Sequence, residues 1–177
     1  LSPEQYLALD DISDDLANTT LRITTRQAIQ YHGVRKGGLK PLIQILNDKL
    51  LTTLSACGDV VRNVMACPAP FVSEARAEVM RYAKELSDRL KPRSRAYYEI
   101  WLDGEKAVSA EENEPLYGDT YLPRKFKIGF AAPGDNCVDA YTQDIGVVPV
   151  VQNEKLIGFT LLVGGGLGQS QGAKETH

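Results

Sequence analysis

Leu21 to His32 reads LRITTRQAIQYH, and its alternation decides the fold class. The even positions are Arg22, Thr24, Arg26, Ala28, Gln30 and His32, and the odd positions are Leu21, Ile23, Thr25, Gln27, Ile29 and Tyr31. A period of two sends successive side chains to opposite faces of a strand, so the segment is predicted as one strand with a mostly polar and a mostly apolar face. Helical patterns flank it. Ser2-Pro3 with Gln5 forms a helix start, the serine capping and the glutamine closing a capping box, and Tyr6, Leu9, Ile12 and Leu16 follow as a core face. After RKGG at 35–38, Pro41 opens a second helix with Leu42, Ile45, Leu46, Leu50 and Leu54 facing one way. This helix–strand–helix order reads as part of a small α+β lobe. Two arginines, a glutamine and a histidine on one strand face make a cradle for carboxylates or phosphates. A half-exposed strand meeting water would show the same face.

Further along, Ala56 to Pro70 reads ACGDVVRNVMACPAP and sets one arginine, Arg62, among small, turn-forming and sulfur-bearing residues. An arginine there presents a rigid fork of donors to an oxyanion. Ser73 caps a third helix whose buried face is Val79, Tyr82, Ala83, Leu86 and Leu90, with Glu74, Arg76, Lys84 and Glu85 on a solvated face and Pro92 as its stop. RAYYEIWL at 95–102 is a strand ending in the turn Asp103-Gly104, and 105–118 is charged and loop-like.

The third cationic segment is YLPRKFKIGF at 121–130. A strand beginning near Arg124 would point Lys125 and Lys127 to one face and Arg124, Phe126 and Ile128 to the other. Paired lysines suit an exposed edge, where they discourage aggregation, or a half-buried strand with an anion opposite. Val147–Val151 and Leu156–Val163 form a hairpin across Asn153-Glu154. The glycines at 164–166 and 168 that follow permit close approach of a ligand to the backbone, or a sharp turn out of the sheet. Their spacing is not a dinucleotide fingerprint.

A formal charge of −3 and a pI near 5.5 argue against a nucleic-acid partner. No apolar run approaches the roughly 18 residues of a membrane span, and no short apolar segment behind a basic start suggests a signal peptide. Cys57, Cys67 and Cys137 make an odd count that fits a reducing compartment. Cys57 and Cys67 lie ten positions apart with no histidine near them, so they read as buried or half-buried thiols and no metal ligand is assigned. The start at Leu1 and the polar end QSQGAKETH suggest a processed chain or a piece of a longer one.

Five blocks in the same order, LRITTRQAIQYHG, ACGDVVRNVMACPAP, YYEIWLDGEK, YLPRKFK and GFTLLVGGGLG, together resemble the siroheme-dependent sulfite and nitrite reductases. The resemblance implies an α+β chain: part of a ferredoxin-like half-domain at 1–48, then a mixed α/β siroheme and iron–sulfur reductase domain at 49–177. It implies an oxidoreductase of sulfur assimilation that reduces sulfite to sulfide by six electrons at siroheme coupled to a 4Fe-4S cluster. Nitrite to ammonia is the alternative, and a non-catalytic siroheme- or anion-binding module a further one. Arg22, Thr24, Thr25, Arg26, Gln30 and His32 carry over as siroheme contacts, and Arg62, Lys125 and Lys127 as the catalytic cluster that binds the substrate anion. Nitrite-reducing relatives commonly have asparagine at the place of Lys127, which favours sulfite. The family's four cluster cysteines have no counterpart here, so the chain resembles an inner portion that needs the remaining C-terminal half to turn over. The implied donor is ferredoxin or an NADPH flavoprotein, with ACGDV and YYEIWLDGEK closer to the ferredoxin type. The implied location is cytoplasmic, or the plastid stroma in a plant or alga.

Overall fold

The computed structural model describes residues 1–70, 73–93, 99–102, 105–109 and 114–165. The chain divides into two compact units, Leu1–Leu54 and Ser55–His177.

In the first unit, α1 (Pro3–Leu16) begins with the expected reciprocal cap: Ser2 Oγ accepts from Gln5 N and Gln5 Oε1 accepts from Ser2 N. Leu9 and Ile12 of α1 pack against Leu42 and Leu46 of α2 (Leu39–Asp48) to form a small core. Tyr6 stays about half exposed and so leaves the expected core face. A 3-10 turn at Lys36–Gly38 leads directly into α2, so the helix starts two residues ahead of Pro41. It also ends sooner than the apolar spacing implied. Leu50 takes a left-handed conformation (φ 57°), which stops the helix and leaves Leu50 and Leu54 exposed.

The single strand expected over 21–32 is instead a hairpin of two short antiparallel strands, β1 (Arg22–Ile23) and β2 (Ile29–Gln30). Thr24 and Ala28 close a three-residue loop through Thr24 N to Ala28 O (2.8 Å), while Gln27 N donates to Thr24 O (3.0 Å). Gln27 then turns left-handed at φ 57°, the usual geometry of a turn followed by one αL residue. The alternating pattern conceals this turn because an odd-numbered loop preserves parity on both arms.

The second unit is built on a four-stranded sheet in the order β3 (Met65–Ala66), β6 (Ile128–Phe130), β7 (Ile145–Gln152) and β8 (Lys155–Val163). β3, β6 and β7 run parallel, and β8 returns antiparallel. The β7–β8 turn is the expected one at Asn153-Glu154, both with positive φ. α3 (Glu74–Arg89), capped by Ser73 Oγ accepting from Arg76 N, lays Val79 and Ala83 against Ile128, Phe130 and Val147. Phe159 meets Phe130 and Tyr82 edge to face at 5.6 and 5.4 Å, although Tyr82 keeps over a third of its surface exposed. A separate pair, β4 (Glu99–Leu102) and β5 (Glu105–Ser109), makes a second hairpin. β5 is therefore a strand where a charged loop was expected. The turn at Asp103-Gly104 and residues 95–98 lie outside the described residues.

Candidate functional site

The first polar segment is displayed by the hairpin of the first unit. Arg22 pairs with Gln30 across β1 and β2, and the closing pair Thr24–Ala28 continues the same face toward the loop. Arg22, Thr25, Gln30 and His32 are exposed, and Thr24 and Arg26 are half-buried. Thr25 and Arg26 sit in the loop, so Arg26 does not share the ladder face as the alternation implied. Tyr31, on the opposite face, anchors the hairpin to α1 by donating its hydroxyl to Leu9 O at 2.9 Å. Burial, with Asp10 second, pushes that hydroxyl up to about 12.

The second set occupies the start of the parallel ladder. Phe126 N donates to Val60 O (3.1 Å) and Arg62 N to Phe126 O (2.8 Å), a parallel bridge of Val61 with Phe126 that registers Arg62 against Lys127. The next pairing is Met65 with Gly129, so Arg62, Asn63 and Val64 stand opposite just two residues, Lys127 and Ile128. The extra residue falls at Asn63-Val64 opposite Ile128 and makes a bulge just after Arg62. Bulges of this kind re-aim side chains beside active sites. Lys127 is further held by its backbone, with N donating to Asp144 Oδ2 at 2.7 Å and O accepting from Ile145 N at 3.1 Å. The regular strand starts at Ile128, so Arg124, Lys125 and Lys127 belong to the approach to β6 and not to the strand itself. Arg124 and Lys125 are exposed and Lys127 is half-buried.

Arg62 is also more engaged than a free fork. Its Nε donates to Gly58 O (3.2 Å) and its Nη1 to Ala56 O. The preceding loop therefore fixes the guanidinium plane and engages two of its five N–H donors.

Among the described residues, Gly165 after β8 and Gly146 within β7 serve the fold. A Cβ on Gly165 would lie 2.2 Å from Tyr141 O and 2.3 Å from Gln143 O, and one on Gly146 would lie 2.5 Å from Ala140 O. The close approach these glycines permit is thus to the chain's own 140–143 turn rather than to a ligand. Gly164 turns the chain out of the sheet at φ 93°. Gly166 and Gly168 lie outside the described residues.

Cys67 is buried as expected, whereas Cys57 is exposed. Cys137 is exposed too, and Cys67 meets it and Asp135. Burial, then the neighbouring Cys67 and Asp135, pushes the Cys137 thiol up to about 11. Arg76, expected on a solvated face, turns inward: Nη1 lies 3.7 Å from Cys67 Sγ and Nη2 donates to Pro133 O at 3.4 Å. A signal was present, because Arg76, Val79 and Ala83 share one helical stripe. Asp135 and Asp144 carried no local signal, since each acquires its partner through the fold.

The family models divide the chain in the same order as its units. The ferredoxin-like half domain of nitrite/sulfite reductases matches residues 1–49, and the nitrite and sulphite reductase 4Fe-4S domain matches residues 81–177, over half the chain. The chain belongs to the nitrite and sulphite reductase family. Among its relatives is a protein of Anoxybacillus flavithermus named sulfite reductase (NADPH) hemoprotein beta-component, 54% identical over 99% of this chain. A protein of the same name from Staphylococcus epidermidis is 51% identical over 99%. The chain spans 31% of the length of both relatives. The structure of the Mycobacterium tuberculosis NirA protein superposes with a TM-score of 0.63 at 26% identity, over 92% of this chain and 25% of that one. Within this family chain, Arg62 and Cys67 fall between the two matched stretches, and Lys125 and Lys127 fall inside the second. No helix among the described residues is long and apolar enough to cross a membrane.

Proposed function

We propose that the chain is an inner portion of a sulfite reductase hemoprotein that reduces sulfite to sulfide by six electrons, with nitrite as the alternative substrate. The observation that carries this is 54% identity, along 99% of the chain, to a protein named for sulfite reduction with NADPH. In this reading residues 1–48 are the ferredoxin-like part and 49–177 the siroheme-binding part. The relatives' printed names favour an NADPH flavoprotein over ferredoxin as donor. Three free thiols and bacterial relatives support a cytoplasmic location.

The donor set fits siroheme, whose many carboxylates call for cationic and hydroxyl donors. Arg22, Thr24 and Gln30 share a hairpin face, His32 continues it, and Thr25 and Arg26 offer further donors from the loop. When bound, siroheme supplies iron and redox equivalents. A 4Fe-4S cluster does not fit here: among the described residues two cysteines converge, not four, so its ligands are placed outside residues 1–177.

Arg62, Lys125 and Lys127 bind and orient the anion. A unit charge pair at 4 Å is worth roughly 4 kcal/mol at an effective dielectric of 20, so three cations concentrate a doubly charged oxyanion more than a singly charged one. The loop carbonyls of Gly58 and Ala56 hold Arg62 in one plane, and Asp144 fixes the backbone of Lys127. The lysine ammonium groups can also deliver protons as oxygen leaves as water.

The test uses the complete protein with a chemical reductant. Lys127→Asn is expected to lower kcat/KM for sulfite at least tenfold more than for nitrite. Equal losses for both substrates would overturn the choice of sulfite.

A further inference from the structure

Two segments distant in sequence bring two thiols and a carboxylate together. Cys67 follows β3, while Asp135 and Cys137 sit two residues apart on the loop after β6. Their ligand atoms all lie within 4.8 Å of one another, and Cys67 Sγ is 3.7 Å from Asp135 Oδ2. We propose that Cys67, Asp135 and Cys137 form a binding site for one zinc-class divalent cation, separate from the cations and polar face assigned to the anion and siroheme.

The geometry suits that ion. Zinc–sulfur bonds of about 2.3 Å and zinc–oxygen bonds of about 2.1 Å at a tetrahedral angle put sulfur and oxygen roughly 3.6 Å apart. The observed 3.7 Å matches that edge, and the other two edges lie within 4.8 Å. Two features hold the donors in place. Ala132 and Asp135 exchange both backbone hydrogen bonds (3.0 and 3.1 Å), closing a tight turn through Gly134 at φ 72°. Asn136 Oδ1 accepts from Ala140 N at 2.8 Å and fixes the far side of the loop. Arg76 brings Nη1 to 3.7 Å from the Cys67 sulfur, as donors beside metal thiolates do, and Pro133 O holds the same guanidinium. Asp135 and Cys137 are exposed, so the fourth position opens to water. A dithiol destined for a disulfide would gain nothing from a carboxylate aimed at its sulfur. A thiophilic cation gains a third ligand from it.

Complete protein prepared under reducing conditions would be incubated with one equivalent of Zn²⁺, desalted and measured for zinc by mass spectrometry and by absorption-edge fine structure at the zinc edge. The expected result is one zinc per chain with two sulfur neighbours near 2.3 Å and oxygen near 2.0–2.1 Å. Asp135→Asn and Cys137→Ser, both at exposed positions, would weaken retention at least tenfold, whereas Cys57→Ser would retain it. No zinc above the level of the Cys137→Ser variant, or a coordination shell without sulfur, would overturn the proposal. So would a Cys67–Cys137 disulfide found by peptide mapping under non-reducing conditions in the native protein.

Discussion

The hairpin of the first unit and the ladder of the second both display cationic side chains, but they are held in place very differently. The hairpin rests on two paired residues per arm and one three-residue loop, held by Tyr31 to Leu9 and by Asn18 N to His32 O (3.1 Å), and most of its polar side chains stand in solvent. The ladder sits on a sheet whose strands continue into a core of Val61, Phe130, Val79, Ala83 and Val147. Each end of the Lys127 peptide segment is clamped, and the Arg62 guanidinium is tied to two carbonyls. The difference matches the two tasks proposed for them. Gripping a large cofactor at many carboxylates tolerates small errors at each contact, while orienting a small anion depends on position, because a displacement of 1 Å can cost about a hundredfold in rate.

The sharpest break in that comparison would come from the core under the ladder. Phe130 is 4% exposed, so Phe130→Ala should cost about 3–5 kcal/mol in denaturant unfolding of the complete protein. It should take anion affinity with it, whereas a comparable change in the first unit should not. Next, Asp144→Ala leaves the Lys127 N–H without its acceptor, at about 1–3 kcal/mol. Sulfite affinity should fall while siroheme content, measured by absorbance, stays constant. Loss of siroheme instead would erase the division of tasks.

The Tyr31 tether is the corresponding point in the first unit. Tyr31→Phe removes one neutral hydrogen bond, about 1 kcal/mol. It also changes the pH profile. In the native chain the hydroxyl stays protonated to about 12, above the ordinary tyrosine value near 10. Its contribution is therefore complete below pH 10 and lost as pH rises from 10 through 12, where the unfolded chain ionises first. Unfolding midpoints across that range should flatten in Tyr31→Phe. The smallest effect on stability belongs to Arg22→Gln, an exposed change expected within about 0.5 kcal/mol. It should nonetheless lower siroheme retention on gel filtration. Unchanged retention in an Arg22→Gln, Gln30→Ala double variant would remove the hairpin from the cofactor site.

The legible parts of this chain were those set by local chemistry. The Ser2/Gln5 capping box, the Ser73 cap and the Asn153-Glu154 turn each depend on a few adjacent residues, and each is present. Alternation located the polar segment at 22–32 but could not distinguish one strand from two arms around a three-residue loop, because both keep parity. The apolar spacing of Leu50 and Leu54 overran the end of α2, since helical spacing does not reveal a left-handed residue. What no local pattern could show is what the fold assembles: Asp144 beneath Lys127, the bulge just after Arg62, and Cys67 meeting Cys137 across 70 residues. Gly165 was visible within a glycine cluster that asks for close approach, and just its partner was unknown: the backbone at Tyr141 and Gln143.

The central claim is that the fixed guanidinium of Arg62 binds the substrate anion, and sulfite titration of the complete protein carrying Arg62→Ala, followed in the siroheme absorption spectrum, tests it most directly. The account predicts a full complement of siroheme and a sulfite Kd raised at least tenfold. An unchanged Kd with siroheme in place would contradict it and leave the segment around Arg62 a scaffold.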